Sequence, residues 1–86
     1  MDYNDFITLC KNEIAKAFNQ RKGSLHPPLK QEDIYVVWLT KALQNNKALL
    51  STNKSDGLYF EVTNNGDKNE IYIDVYKKQE NIKVRY

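Results

Sequence analysis

Between Leu58 and Tyr76 the chain alternates in a way that suits a β-hairpin with two unlike faces. Leu58, Phe60, Val62, Ile71, Ile73 and Val75 form one set; Tyr59, Glu61, Thr63, Tyr72, Asp74 and Tyr76 form the other. Successive side chains of a strand point to opposite sides, so the apolar set has to be covered while the tyrosines and carboxylates face solvent or a partner. A lone two-stranded hairpin is marginal in water, and the remaining residues must therefore supply the cover.

The tip, Asn64-Asn65-Gly66-Asp67-Lys68-Asn69, admits two registers that keep these faces matched. A two-residue Asn65-Gly66 loop sets Glu61 opposite Glu70 and Val62 opposite Asn69. A four-residue loop from Asn65 to Lys68 pairs Val62 with Ile71, Phe60 with Ile73 and Leu58 with Val75. Three apolar pairs at roughly 0.2–1 kcal/mol each, with no opposed like charges, favour the longer loop.

The cover is found at the other end of the chain. Tyr3, Phe6, Ile7, Cys10, Ile14, Ala17 and Phe18 recur at the three-and-four spacing of a helix with one buried stripe. Asp2 is placed to cap this helix, Asp5 lies in its first turn, Lys16, Arg21 and Lys22 gather toward its end, and Gly23 stops it. Its opposite face, with Lys11, Asn12, Lys16 and Asn19, is read as a solvated surface. A connector over 23–33 follows, in which Pro27 and Pro28 force an extended path.

Ile34 to Leu39 is β-branched and aromatic at odd and even positions alike, the pattern of a strand covered on both faces. Gln44-Asn45-Asn46 is expected to turn the chain into Ala48 to Thr52, and Asp56-Gly57 marks the next turn. Ile82 to Tyr86 alternates weakly enough to be read only as a short last strand. The expected fold is α+β: one N-terminal helix packed on a four- or five-stranded, mainly antiparallel β-meander. It makes a single domain over 1–86, with the helix at about 3–21, the connector at 23–33 and the sheet at 34–86.

Chemistry is constrained mostly by what the chain lacks. With 86 residues there is room for one core, and the formal net charge of +2 does not by itself call for a polyanionic partner. Cys10 is the only cysteine and His26 the only histidine, so no zinc-ligand spacing and no disulfide arise, and no cofactor is expected. Cys10 sits within the apolar helix stripe, where a thiol acts as a small hydrophobe. Ser24, Ser51 and Ser55 lack a glycine-framed elbow, and Gly23, Gly57 and Gly66 are too dispersed for a phosphate loop. Glu61, Glu70 and Asp74 could form a carboxylate pair, yet an open hairpin offers no cleft, and the chain is read as a non-enzyme. The N-terminus lacks the basic and apolar regions of a signal peptide, and the apolar run Ile34 to Leu39 falls far short of the ~20 residues of a membrane span. A soluble, cytoplasmic protein without a membrane partner is expected.

The residues singled out for binding are Tyr35, Trp38, Tyr59, Tyr72, Tyr76 and Lys77. Rings beside Lys77 and Lys78 match the mixture used by single-strand nucleic-acid binders, but Glu61, Glu70 and Asp74 would repel phosphates, and tyrosines of this kind equally serve protein interfaces. A self-contact is also expected, because Ile34 to Leu39 is apolar on both faces and one helix can cover only one side of the sheet. A homodimer with Tyr35 or Trp38 near its centre would cover the other side, the alternative being a more curved sheet that covers itself.

The runs Ile34-Tyr35-Val36-Val37-Trp38, Lys41 to Thr52, Asp56 to Thr63, Asn65 to Tyr72 and Tyr76 to Lys78 together carry a resemblance. Over residues 32–78 the chain resembles a family of small proteins, with no established activity, encoded by phages and prophages of low-GC Gram-positive bacteria. Gln79 stands where that resemblance implies an aromatic. It implies a setting and transfers no site residue. The expected function is that of a non-enzymatic, phage-encoded accessory protein that binds a host or phage protein; the alternative is a small single-stranded nucleic-acid binder using the sheet tyrosines and lysines.

Overall fold

The computed structural model describes residues 2–22, 27–42 and 45–86. Helix α1 spans Tyr3–Lys22. Asp2 caps it, its Oδ1 accepting the Asp5 N–H at 2.8 Å, which satisfies one of the amides a helix start leaves unpaired. Phe6, Cys10, Ile14 and Phe18, spaced by four, are all buried, while Tyr3 at the head of the same stripe is exposed. Gly23, the expected stop, lies outside the described residues, as do Ser24 and His26.

The solvated-face reading of α1 needs correction at two positions. The Asn19 carboxamide accepts the Leu29 N–H at 2.8 Å and donates to the Leu29 carbonyl at 3.3 Å, clamping both polar groups of one backbone unit. That clamp lets Leu29 leave the Pro27-Pro28 path and enter the core, where it is buried. Asn12 accepts a hydrogen bond from Gln31, fastening the same connector about two turns earlier on the helix. A turn of 3₁₀ helix over Gln31–Asp33 then leads into the sheet. The Asp33 carboxylate accepts the Lys30 N–H at 3.0 Å and the Asn53 carboxamide at 3.0 Å, and these bonds hold it below the usual carboxylate range.

Four strands, β1 (Ile34–Ala42), β2 (Asn45–Thr52), β3 (Leu58–Asn65) and β4 (Glu70–Lys77), form one antiparallel sheet in the order β1-β2-β3-β4. The domain is thus α+β, a helix on a four-stranded meander. On the helix side Leu50 lies opposite Phe60 and Ala48 opposite Val62, and all four are fully buried with the α1 stripe. Small Ala48 beside larger neighbours leaves room for the helix to approach the central strands.

β1 departs from the expectation of a strand covered on both sides. It is an edge strand in which Tyr35, Val36, Val37 and Trp38 are exposed. Its doubly apolar pattern arises because the register slips between Val36 and Trp38: Val36 faces Leu50 and Trp38 faces Leu49, leaving Val37 as an extra residue. Such a bulge reverses the parity of the side chains that follow it. Ile34, Val36 and Leu39 accordingly share the helix side, and Tyr35 and Trp38 the other. The turn expected at Gln44-Asn45-Asn46 is also displaced, since Asn45 and Asn46 already pair with Ala42 and Lys41; Gln44 lies outside the described residues.

The second hairpin takes neither expected register. Val62 pairs with Ile73, Phe60 with Val75 and Leu58 with Lys77, around a loop from Gly66 to Asn69. The loop's own chemistry decides this. Asn65 Oδ1 accepts the N–H groups of Asp67 and Lys68 at 3.2 and 3.4 Å, and Asn69 closes the turn at φ 54°, a left-handed conformation that asparagine tolerates. Starting the loop after Asn65 also adds the pairs Asn64–Ile71 and Asn65–Glu70 to the ladder. Gly57, at φ 74°, serves the preceding turn, and its carbonyl accepts the Lys78 N–H at 2.8 Å. Beyond Lys78 the tail is exposed and forms no strand, so the sheet has four strands and the expected one over Ile82 to Tyr86 is absent.

Phe60→Ala is expected to cost about 3–5 kcal/mol, as removal of a fully buried ring from a packed core does. Tyr59→Ala, on the opposite face, is expected to cost much less. Urea midpoints of the two variants check the facing, and equal losses would contradict it.

Candidate functional site: the uncovered face of the sheet

The register assembles the far side of the sheet into rows running across the strands. Tyr35, Ser51, Tyr59 and Tyr76 form the first; Trp38, Leu49, Glu61 and Asp74 the second; Thr40, Lys47, Thr63 and Tyr72 the third. Neighbours in a row stand about 5 Å apart, the spacing of paired strands, so five aromatic rings and Leu49 share a patch four strands wide. Tyr35, Trp38, Tyr72 and Tyr76 are exposed and Tyr59 is half-buried between its neighbours. Ser51, flanked by Tyr35 and Tyr59, is buried and donates its hydroxyl to the Leu58 carbonyl at 2.8 Å. Its polarity is thereby satisfied under the rings.

Five of the six residues expected to bind, Tyr35, Trp38, Tyr59, Tyr72 and Tyr76, are therefore brought together on this face. Lys77 is not. It pairs with Leu58, whose side chain belongs to the helix side, so strand alternation turns Lys77 away from the tyrosines. Among the described strand residues of the uncovered face, Lys47 is the one cation, against Glu61, Glu70 and Asp74. Glu61 stands directly opposite Asp74, and Lys47 relieves this like-charge contact with an ammonium 3.6 Å from the Glu61 carboxylate. The Tyr72 hydroxyl donates to Glu70, which raises the phenol above its ordinary pKa and orders the corner of the patch. Leu49, Lys47 and Ser51 were missed as members of the site. Their signal was the alternation of β2, in which they interleave with Ala48, Leu50 and Thr52.

The remaining candidates lie elsewhere. Cys10 is enclosed in the core, and burial pushes its thiol up to about 12. Among the described residues no group of three or more His, Cys, Asp and Glu side chains is placed to hold a metal ion, and no helix is long and apolar enough to cross a membrane.

Helix, sheet and tail fall within the span of one family match. The chain belongs to DUF6275, a family of unknown function, which matches residues 7–86. The match takes in nearly all of α1 and the exposed tail together with the sheet, a wider span than the resemblance over 32–78. No curated protein and no solved structure matches the chain.

With its thiol buried and neutral, Cys10 is expected to resist alkylation in the native protein and to react at the rate of a free thiol once denaturant unfolds the chain. Mass spectrometry of timed iodoacetamide reactions checks this, and rapid native labelling would contradict the packing of α1.

Proposed function

We propose that this DUF6275 protein is a non-enzymatic, phage-encoded accessory protein that acts in the host cytoplasm by binding another protein through the uncovered sheet face. The supporting observation is the gathering of Tyr35, Trp38, Tyr59, Tyr72 and Tyr76 on one face with an excess of carboxylates. Large rings give contact area at low entropic cost, and tyrosine and tryptophan are the residues in which interface energy concentrates. Glu61, Glu70 and Asp74 suit a partner surface that mixes apolar side chains with lysine or arginine. The phage setting rests on the sequence resemblance alone.

The nucleic-acid reading is weakened by Lys77, which lies on the other side of the sheet, and by the three carboxylates that share the strand residues of the face with Lys47 alone. Stacking alone, without a basic track for the phosphates, gives little affinity at physiological salt.

The immobilised protein, exposed to lysate of a Gram-positive host, is expected to retain a protein that survives nuclease treatment. The double variant Trp38→Ala, Tyr76→Ala should lose it while keeping the wild-type circular dichroism, since anchor rings of this kind contribute about 2 kcal/mol or more apiece. Sub-micromolar binding of labelled single-stranded DNA or RNA at physiological salt, weakened by Tyr72→Ala, would overturn the proposal in favour of its rival.

A further inference from the structure

The tail after β4 has a strand's pattern without a strand's partner. Ile82, Val84 and Tyr86 alternate with Lys83 and Arg85, yet Ile82 and Val84 are 71% and 75% exposed and Tyr86 is fully so. The Lys78 N–H bond to the Gly57 carbonyl carries the chain past the end of β4 before it departs. The consequence is an extended molecule: its radius of gyration is 14.2 Å, against about 12 Å for a compact chain of this length.

β4, in turn, is an edge with an unfilled side. Its register is regular from Glu70 to Lys77, whereas the other edge, β1, is broken by the Val37 bulge. Bulges protect edges from further pairing, so β4 is the edge left open to a new strand. On its helix side Ile71 and Ile73 are half-buried and Val75 is 38% exposed, because α1 reaches only the central strands fully. On its other side stand Glu70, Tyr72, Asp74 and Tyr76.

We infer that the tail of one copy adds antiparallel to β4 of a second copy, and the second copy's tail to β4 of the first, making a two-fold dimer by strand exchange. The two patterns fit together. In the register that sets Val84 against Val75, Tyr86 falls opposite Ile73 on the helix side, and Arg85 falls opposite Asp74 on the outer side. Val84 and Tyr86 then cover Val75 and Ile73, part of what α1 leaves exposed on β4, and a cation meets a carboxylate directly across the pair. The four residues Lys78 to Asn81 link β4 to the pairing segment and can span about 13–14 Å when extended, enough to cross to an edge strand of an adjoining copy. The two-fold symmetry uses each tail and each edge once, so assembly closes at two copies. The pairing is made along the β4 edge; on the aromatic face it meets only the β4 residues Asp74 and Tyr76, opposite Arg85 and Lys83, and the inference rests on the edge and not on the proposed function.

Sedimentation velocity from low to high micromolar concentration tests it with the full-length chain. The wild type is expected to dimerise. Val84→Asp and Tyr86→Asp, at exposed positions where the monomer fold does not depend on them, should each raise the dissociation constant about tenfold or more with unchanged circular dichroism. Charge reversal separates exchange between copies from folding back within one copy. Asp74→Arg and Arg85→Glu should each be monomeric alone, and an equimolar mixture should dimerise, because both contacts of the mixed pair are then attractive. A wild type that stays monomeric at every concentration, a dimer untouched by Val84→Asp, or a mixture no more associated than its components would each overturn the inference.

Discussion

The width of one helix governs this structure. An α-helix with its side chains is about 10–12 Å across, and strands lie roughly 4.8 Å apart, so a single helix covers two strands well and four strands poorly. The α1 stripe of Phe6, Cys10, Ile14 and Phe18 accordingly closes over Ala48, Leu50, Phe60 and Val62 of the two central strands. Everything else follows from that shortage of cover. Val36 and Val75, on the helix side of the two edge strands, remain partly exposed, and no described helix or strand packs over the far face of the sheet. The asparagine clamp on Leu29 is one local remedy, drawing a connector residue into the core that the helix cannot fill alone.

What could be read from the sequence was whatever depended on simple periodicity. The α1 stripe repeats every three or four residues and β3 and β4 alternate without interruption, so the helix, the second hairpin and its two faces were legible. Failures occurred where one side chain's hydrogen bonds outweighed the pattern. Asn65 binds two amides of its own loop and Asn69 accepts a left-handed backbone, and together they shift the hairpin past both registers ranked by apolar pairing. In β1 a single extra residue changed the parity, making an exposed edge strand look like one buried on both sides. The candidate site was legible in part for the same reason. Five aromatics obey alternation and share a face, whereas Lys77, adjacent in sequence to Tyr76, is opposite in space.

That separation of Lys77 from the tyrosines carries more functional weight than the count of charges. The chain as a whole is slightly basic, but among its described strand residues the aromatic face holds three carboxylates to one lysine. Bulk charge and the charge of a face are different quantities, and recognition responds to the second. Membership of DUF6275 over residues 7–86 adds that the helix, the sheet and the tail belong to one family unit.

The central claim, that this chain leaves one face of its sheet uncovered, can be tested most directly through Trp38, its only tryptophan. The indole stands on that face, 40% exposed. In the isolated monomer its emission is expected at long wavelength, close to that of the unfolded chain, with efficient collisional quenching by acrylamide. A blue-shifted emission that acrylamide does not quench in the monomer would mean that some part of the chain covers the face, and would contradict the account.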